Sequence, residues 1–279
     1  MKYKVWIMVM VLMAVTLVPA FASETSAGVE ELLNLGTHQV EVKLSGNMES
    51  DHVLIFANGA GVDYTYWNKV TEAFAKDYKI LQYNRSGQGK STKYTYPNTA
   101  VRQYLELVQI LGRLDLLEDK KTMVGHSFGG HLTRFTAATG LVEAVVLLDI
   151  SNEYQFAETK EPNSEGMISL YAYVPENIFK MAISELGNEI SYEDFMTNGR
   201  QVAGAAPFMK DTRAVMVSAT NHGPIEGFEE QWAAYQKNMI SKFHPDSDHV
   251  IAEGVGHNIP VLAPEVAIEA IENALGIDQ

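Results

Sequence analysis

Gly125-His126-Ser127-Phe128-Gly129-Gly130 sets a serine between two glycines, at the end of one apolar run and the start of a helical pattern. The run Lys121-Thr122-Met123-Val124 reads as a short buried strand, and His131 to Thr139 reads as a helix. Ser127 is therefore expected on a sharp strand-to-helix turn, a nucleophile elbow, which strains the serine backbone and exposes its hydroxyl. Gly125 and Gly129 then have a steric purpose, because side chains there would collide with the neighbouring backbone. The turn also brings the first amides of the helix, Phe128 N–H in particular, beside the serine oxygen, where negative charge develops in acyl transfer.

The bare pattern G-x-S-x-G is a weak signal, since usage of about 7% for Gly and for Ser gives roughly 0.1 chance matches in such a chain. Its surroundings strengthen it. Asn58-Gly59-Ala60-Gly61 directly follows the strand-like His52-Val53-Leu54-Ile55-Phe56-Ala57, and Gly254-Val255-Gly256-His257 follows a second strand-like run, His249 to Ala252. Three loops that each leave the carboxyl end of a strand would converge on one site, which is where open parallel α/β sheets bind ligands.

With 279 residues, 46% of them apolar, the chain can bury one large core, and α/β folds of this length are commonly one domain. Residues 1–22 stand apart. Met1-Lys2-Tyr3-Lys4 is basic, Val5 to Val18 is apolar and Ala20-Phe21-Ala22 fits an A-x-A cleavage signal, so a signal peptide is expected, with the domain at 23–279. The apolar run is short for a membrane span, which needs about 20 residues. Export is the expectation, and an uncleaved N-terminal anchor is its alternative. The absence of cysteine excludes disulfides, thiolate metal sites and a cysteine nucleophile. Loss of Lys2 and Lys4 with the leader takes the formal charge from −14 to −16. Such a surface repels phosphate backbones and anionic lipid, so neither nucleic acid nor stable membrane insertion after leader cleavage is expected.

After a polar stretch from Ser23 to Asn34, Thr37 to Leu44 alternates like a half-buried strand. His52 to Ala57 and Tyr78 to Tyr83 follow as strands, separated by a helical pattern from Tyr66 to Lys76. A long helical pattern, Val101 to Leu117, precedes the elbow strand, while Ala144 to Ile150 and Ala214 to Ser218 read as strands beyond it. This alternation predicts an α/β fold: a mostly parallel central sheet of about eight strands with helices on both faces. Residues 151–211 interrupt the rhythm with aromatic and methionine clusters, including Met167 to Tyr173 and Phe195-Met196, and are read as a helical cap insertion. Its apolar side chains either line an acyl or aromatic pocket or form the cap's own small core.

By these motifs the chain resembles the α/β-hydrolase superfamily, in particular its capped single-domain serine esterases and lipases, over roughly residues 36–276. Four segments carry the resemblance: Asn58-Gly59-Ala60-Gly61, where the family usually has His-Gly; Tyr83-Asn84-Arg85-Ser86-Gly87-Gln88-Gly89-Lys90-Ser91, where it has D-R-x-G-x-G-x-S; the elbow; and Gly256-His257. Asn58 and Asn84 depart from the usual histidine and aspartate, which bears on loop geometry more than on chemistry.

Ser127 needs a base to become nucleophilic at neutral pH. The resemblance puts that base at His257, in a Gly-rich loop between the last strand-like run and a final helix, Pro264 to Leu275. His126 is expected to pack the loop, and His222 and His244 to face solvent. Ala60 N–H, after Gly59, is expected to pair with Phe128 N–H as the oxyanion hole. The acid is open, because the usual position after the seventh strand reads Ser218-Ala219-Thr220-Asn221-His222-Gly223-Pro224, with no carboxylate before Glu226. Asp149, closing the strand after the elbow, is the first candidate and Glu226 the alternative, with Asp246 and Asp248 behind them.

The resemblance implies a secreted serine hydrolase acting on a small-molecule ester or related acyl substrate through an acyl-enzyme intermediate, with no metal and no cofactor. An amidase or peptidase and a lactonase are compatible with the same residues. A catalytically weak or inactive relative that binds a small apolar ligand is the alternative of a different class, motivated by the missing acid and by the Asn58 and Asn84 departures.

Overall fold

The computed structural model describes residues 28–93, 97–152, 190–223 and 227–277. The leader read at 1–22, residues 153–189 of the cap span and Glu226 lie outside the described residues.

Continuous apolar runs become the central strands. The chain forms β1 (Val29–Asn34), β2 (Gln39–Gly46), β3 (His52–Ala57), β4 (Lys79–Tyr83), β5 (Lys120–His126), β6 (Ala144–Leu148), β7 (Arg213–Asn221) and β8 (Asp248–Gly256). They make one eight-stranded sheet in the order β1-β2-β4-β3-β5-β6-β7-β8. Strands β1 and β2 run antiparallel to their neighbours, and every pairing from β4 to β8 is parallel. This is the mostly parallel sheet of about eight strands that the alternation predicts.

Both faces of the sheet are covered, which is why β3, β5 and β6 show no polar alternation. On one face Val53, Ile55, Met123, Val145 and Leu147 pack with Leu107, Ile110 and Leu111 of α2 (Ala100–Arg113) and Leu132 of α3 (Gly129–Ala138). On the other, Leu54, Phe56, Val124, Val146 and Leu148 pack with Val70 of α1 (Asn68–Thr71) and with Ala267 and Ile271 of the C-terminal helix Pro264–Leu275. The period of two along each strand thus divides the core into its two layers.

The other helices among the described residues are α4 (Tyr192–Ala205), α5 (Phe228–Ile240), α6 (Ile259–Leu262) and α7 (Pro264–Leu275). Helix α4 lies within the span read as a cap and starts at a capping box, in which Ser191 and Asp194 each accept the other's backbone N–H. Among the described residues no helix is long and apolar enough to cross a membrane.

Three local expectations differ from the structure. The polar stretch before Asn34 contains β1, an edge strand held by its ladder to β2, with only Val29 and Leu33 half-buried against the core. The helical pattern from Tyr66 to Lys76 yields a 3-10 turn, Tyr64–Trp67, then the single turn of α1. Beyond it the backbone continues in i→i−3 bonds from Ala73 to Val70 and from Phe74 to Thr71. Helix α5 follows β7 where no helix is expected from the sequence.

Candidate active site

Ala57 lies opposite Gly125 and His126 opposite Leu148, so the next residues along β3, β5 and β6, namely Asn58, Ser127 and Asp149, form a row at the carboxyl edge of the sheet. Ser127 and Asp149 both leave their strands in the left-handed region, with φ of 51° and 43°, which side chains with a Cβ seldom adopt. Hydrogen bonds hold both turns: Ser127 N–H donates to Leu148 O at 3.2 Å, Ser151 N–H to Ser127 O at 3.0 Å, and Asp149 N–H to Val217 O at 2.7 Å. The aspartate reaches the elbow because β6 is the strand next to β5.

The elbow glycine at 129 is required by a close approach. A Cβ there would lie 2.6 Å from Asn58 O and nearer still to Ala57 O, both backbone atoms that cannot swing aside. Gly129→Ala is expected to destabilise the fold by about 3 kcal/mol, at the upper end of overpacking costs, and to push β3 and its loop away from Ser127. Thermal unfolding of the variant beside the wild type checks this, and an unchanged midpoint contradicts it.

His257 follows β8. Its carbonyl accepts from Ile259 N–H at 2.9 Å and from His126 Nε2–H at 2.8 Å, which fixes the loop. Its ring spans the gap between the other two residues, with Nδ1 2.5 Å from Asp149 Oδ2 and Nε2 3.0 Å from Ser127 Oγ. A carboxylate only accepts, so Nδ1 carries the hydrogen and Nε2 presents its lone pair to the serine hydroxyl. His126 is buried, and that burial, with His257 close by, pushes its pKa down to about 3. It stays a neutral packing group, as expected of it, and its ring lies 5.1 Å from that of Tyr66 and 4.8 Å from that of His257.

Asp149 is fully buried and accepts four hydrogen bonds. Oδ1 takes Ala219 N–H at 3.0 Å and Trp232 Nε1–H at 2.6 Å, while Oδ2 faces His257 and also His222 Nε2 at 2.8 Å. Burial pushes its carboxyl upward, but the bonds from His222 and His257 overcome that and hold it well below the usual carboxylate range.

His222 does not face solvent as expected from the sequence. Only 8% of its side chain is exposed, and its Nδ1 lies 2.9 Å from Glu229 Oε2. The usual acid position after β7 thus carries a histidine turned inward onto the acid of β6. His244, in contrast, is 42% exposed. Asp246 and Asp248 lie just before and at the start of β8, whose far end leads into His257, and Asp248 pairs with Arg213 at 3.0 Å.

Asp149, His222 and His257 are residue types that ligate metals and their ligand atoms lie within 4.8 Å of one another. Their nitrogens and oxygens already satisfy one another through protons, so the cluster reads as a hydrogen-bond relay. Trp232, Glu229 and the inward turn of His222 are not foreseen from the sequence. The one available signal is the histidine standing at the usual acid position.

The loop Asn58-Gly59-Ala60 is braced from beneath. Arg85 donates from Nη1 to Asn58 O at 2.6 Å and from Nη2 to Gly59 O at 3.3 Å, and Gln88 Nε2 donates to Gly59 O at 2.8 Å. Gly59 C=O and Ala60 N–H belong to one planar peptide, so these donors also aim the Ala60 N–H. Neither the Ala60 nor the Phe128 N–H has an acceptor among the described residues.

Asn58 and Asn84, which replace the family's usual histidine and aspartate, hydrogen-bond each other at 3.1 Å. Trp67 Nε1–H caps Asn58 Oδ1 at 2.8 Å, and Asn84 Nδ2 donates to Glu41 Oε2 at 2.8 Å. The substituted pair therefore still ties the two loops together. Above the elbow, Phe195 of α4 packs on Phe128 with ring centroids 5.6 Å apart, and Ala60, Tyr192 and Met196 border the same apolar cluster. Phe195 and Met196 thus pack against the elbow.

Comparison with known proteins agrees with this fold. The family described as alpha/beta hydrolase fold matches residues 52–262. A relative, YqjL of Bacillus subtilis (strain 168), is 21% identical over 220 residues, spanning 78% of this chain and 81% of that protein. The fold is similar to that of an enol-lactonase from Burkholderia xenovorans LB400, with TM-score 0.60 and 16% identity over 86% of this chain and 98% of the other. It is also similar to CarC, a serine hydrolase involved in carbazole degradation, with TM-score 0.60 and 19% identity over 90% of this chain and all of the other.

Proposed function

Because the chain belongs to the alpha/beta hydrolase fold family, we propose that it is an exported serine hydrolase that cleaves small carboxylic esters through an acyl-enzyme intermediate. One observation carries the reading: the unbroken line from Asp149 Oδ2 through the His257 ring to Ser127 Oγ, with contacts of 2.5 and 3.0 Å. Export is supported by the leader-like pattern of residues 1–22.

In the proposed reaction His257 Nε2 takes the hydroxyl proton as Ser127 Oγ bonds to the ester carbonyl carbon. The negative charge moves to the carbonyl oxygen, which the Ala60 and Phe128 N–H groups would receive, each such donor being worth about 10²–10³ in rate. The imidazolium then protonates the departing alcohol as the C–O bond breaks. Water, deprotonated by the same nitrogen, attacks the acyl-enzyme and releases the acid with Ser127 restored. This route calls for no metal or organic cofactor.

A lactone is an internal ester and asks the same chemistry of these residues. The similarity to an enol-lactonase makes a lactone the natural second substrate to offer. The ligand-binding alternative has its motive in the missing acid and in the Asn58 and Asn84 departures; Asp149 2.5 Å from His257 Nδ1 and the Asn58–Asn84 hydrogen bond support the hydrolase reading over it.

Hydrolysis of para-nitrophenyl esters from acetate to octanoate, with a simple lactone added and labelling by a fluorophosphonate run in parallel, tests the proposal. Turnover on the shorter esters and covalent labelling at Ser127 are expected. A folded protein that takes no probe and hydrolyses none of these substrates overturns it.

A further inference from the structure

The triad acid of this chain is gripped by a second histidine, and both nitrogens of that histidine meet carboxylates. His222 Nε2 lies 2.8 Å from Asp149 Oδ2 and Nδ1 lies 2.9 Å from Glu229 Oε2, while its backbone N–H donates to Glu229 Oε1 at 2.7 Å. Ionised carboxylates accept only, so each nitrogen needs its own hydrogen, and the ring that satisfies both is the imidazolium. We propose that His222 is a positioning residue of the hydrolytic site, a fixed cation between Asp149 and Glu229 that holds the Asp149 carboxylate against His257. This rests on the serine hydrolase reading.

The surroundings suit that role. The ring is packed by Phe228 and Trp232, each with centroids 5.1 Å away, and its side chain is nearly closed to water. Glu229 lies on the first turn of α5, which thereby joins β7's exit to the acid at the end of β6. The titratable groups facing His222 among the described residues are Asp149, Glu229 and His257, the last with ring centroids 6.0 Å away. Burial pushes the His222 pKa down, but Asp149 and then Glu229 outweigh it, and the pKa is raised.

The chemical consequence follows from the lone pairs. Oδ2 of Asp149 accepts from two imidazoles at once, and two N–H donors in fixed directions leave the carboxylate a single orientation. If His222 loses a proton, one of its two carboxylates meets a nitrogen lone pair instead of an N–H. The Asp149 grip then weakens, and with it the tautomer and aim of His257. Because the His222 pKa is raised, the imidazolium is present below the ordinary histidine value of about 6.5 and is lost only as pH climbs through the higher folded value. Activity should therefore fall on an alkaline limb that belongs to His222.

The test uses the mature protein, His222→Gln and Glu229→Gln, each checked for folding by circular dichroism. The readouts are the fluorophosphonate labelling rate and para-nitrophenyl acetate kcat and KM from pH 6 to 10. Nitrogen NMR of labelled histidines reports the protonation of His222. In the wild type both ring nitrogens of His222 carry hydrogens at pH 7, and labelling declines at alkaline pH as that signal titrates. His222→Gln, which can donate to Asp149 but carries no charge, should lose about tenfold in kcat and labelling, the factor for one charge-assisted hydrogen bond. Its KM should be unchanged and its alkaline limb absent. Glu229→Gln, at a partly exposed position, should move the limb to lower pH.

A folded His222→Gln with wild-type rate and limb overturns the role, and so does a singly protonated His222 at pH 7. If His222→Gln does not fold, an unmoved limb in Glu229→Gln overturns it equally. A wild type that the probe fails to label overturns the serine hydrolase reading and this role with it, whereas a labelled wild type with indifferent variants overturns this role alone.

Discussion

Ser127→Ala is expected to lower kcat on para-nitrophenyl acetate by about 10⁶ and to abolish fluorophosphonate labelling, while the protein stays folded. The magnitude is that found when the nucleophile of a serine triad is removed, since the triad members act as a unit and their losses do not add. The structural cost should be small by comparison. The substitution deletes one hydroxyl, whose hydrogen bond is to His257 Nε2 at 3.0 Å, and the elbow is held by backbone bonds from Gly130, Ser151 and Ser127 itself that do not involve it. Serine already bears the strain of a Cβ at φ 51°, so alanine adds little to it, and stability should change by no more than about 1 kcal/mol, the worth of one hydrogen bond. A residual rate above the uncatalysed one is expected from the Ala60 and Phe128 amides, because an oxyanion hole and binding alone leave about 10³–10⁴ over water. Steady-state kinetics with the two proteins at equal folded concentration decides it. A variant that keeps a tenth of the wild-type rate would show that another group performs the attack.

The parts of this molecule that could be read from the chain are those in which local pattern and tertiary role coincide. The buried strand His52–Ala57 and the helix Pro264–Leu275 have the same bounds in sequence and structure, because a continuous apolar run and an amphipathic stripe closed by Gly276 leave little choice of register. The elbow was legible for a steric reason: Gly129 faces backbone at a distance that admits no Cβ. Strand β1 was not, since Val29 and Leu33 alone reach the core, half-buried, amid exposed residues, and it takes the ladder to β2 to make the stretch a strand. The carboxylate that meets His257 was half legible. Asp149 could be named as a carboxylate ending an apolar strand, but not ranked decisively over Glu226, because which strand end meets His257 depends on strand order in space. His222 was misjudged for the same cause. A polar residue in a Gly-Pro loop reads as exposed, and only the packing of α5, which brings Trp232 and Glu229 beside it, turns it inward.

Asp149→Asn should lower kcat by about 10⁴ with little change in the backbone, the loss known for an amide in place of a triad carboxylate. Asparagine is the informative choice because it accepts the left-handed conformation that residue 149 occupies at φ 43°. The donors around the site dictate how the amide sits. Ala219 N–H and Trp232 Nε1–H both point at Oδ1 and cannot give up their hydrogens, so the amide oxygen takes that side and the NH₂ takes the Oδ2 side, where His222, no longer facing a carboxylate, gives up its Nε2 hydrogen and His257 must accept. An amide N–H facing Nδ1 of His257 forces that nitrogen to accept, which moves the ring's hydrogen to Nε2. There it points at Ser127 Oγ and cannot receive the hydroxyl proton. The substitution thus keeps the shape of the triad and reverses the direction of its hydrogen bonds.

Stability should change with pH in a matching way. The Asp149 pKa is depressed in the folded protein, so its contribution is present above the ordinary carboxylate value of about 3.9 and is lost as pH falls through the lower folded value. The gap in unfolding temperature between wild type and Asp149→Asn should therefore narrow as the pH is taken below about 4. The parallel variant Glu226→Gln should leave kcat within a few-fold of wild type. The opposite result, in which Glu226→Gln loses the rate and Asp149→Asn keeps it, would transfer the acid's role to the loop after β7 and leave the buried carboxylate of β6 as a packing anchor for His222 and Trp232.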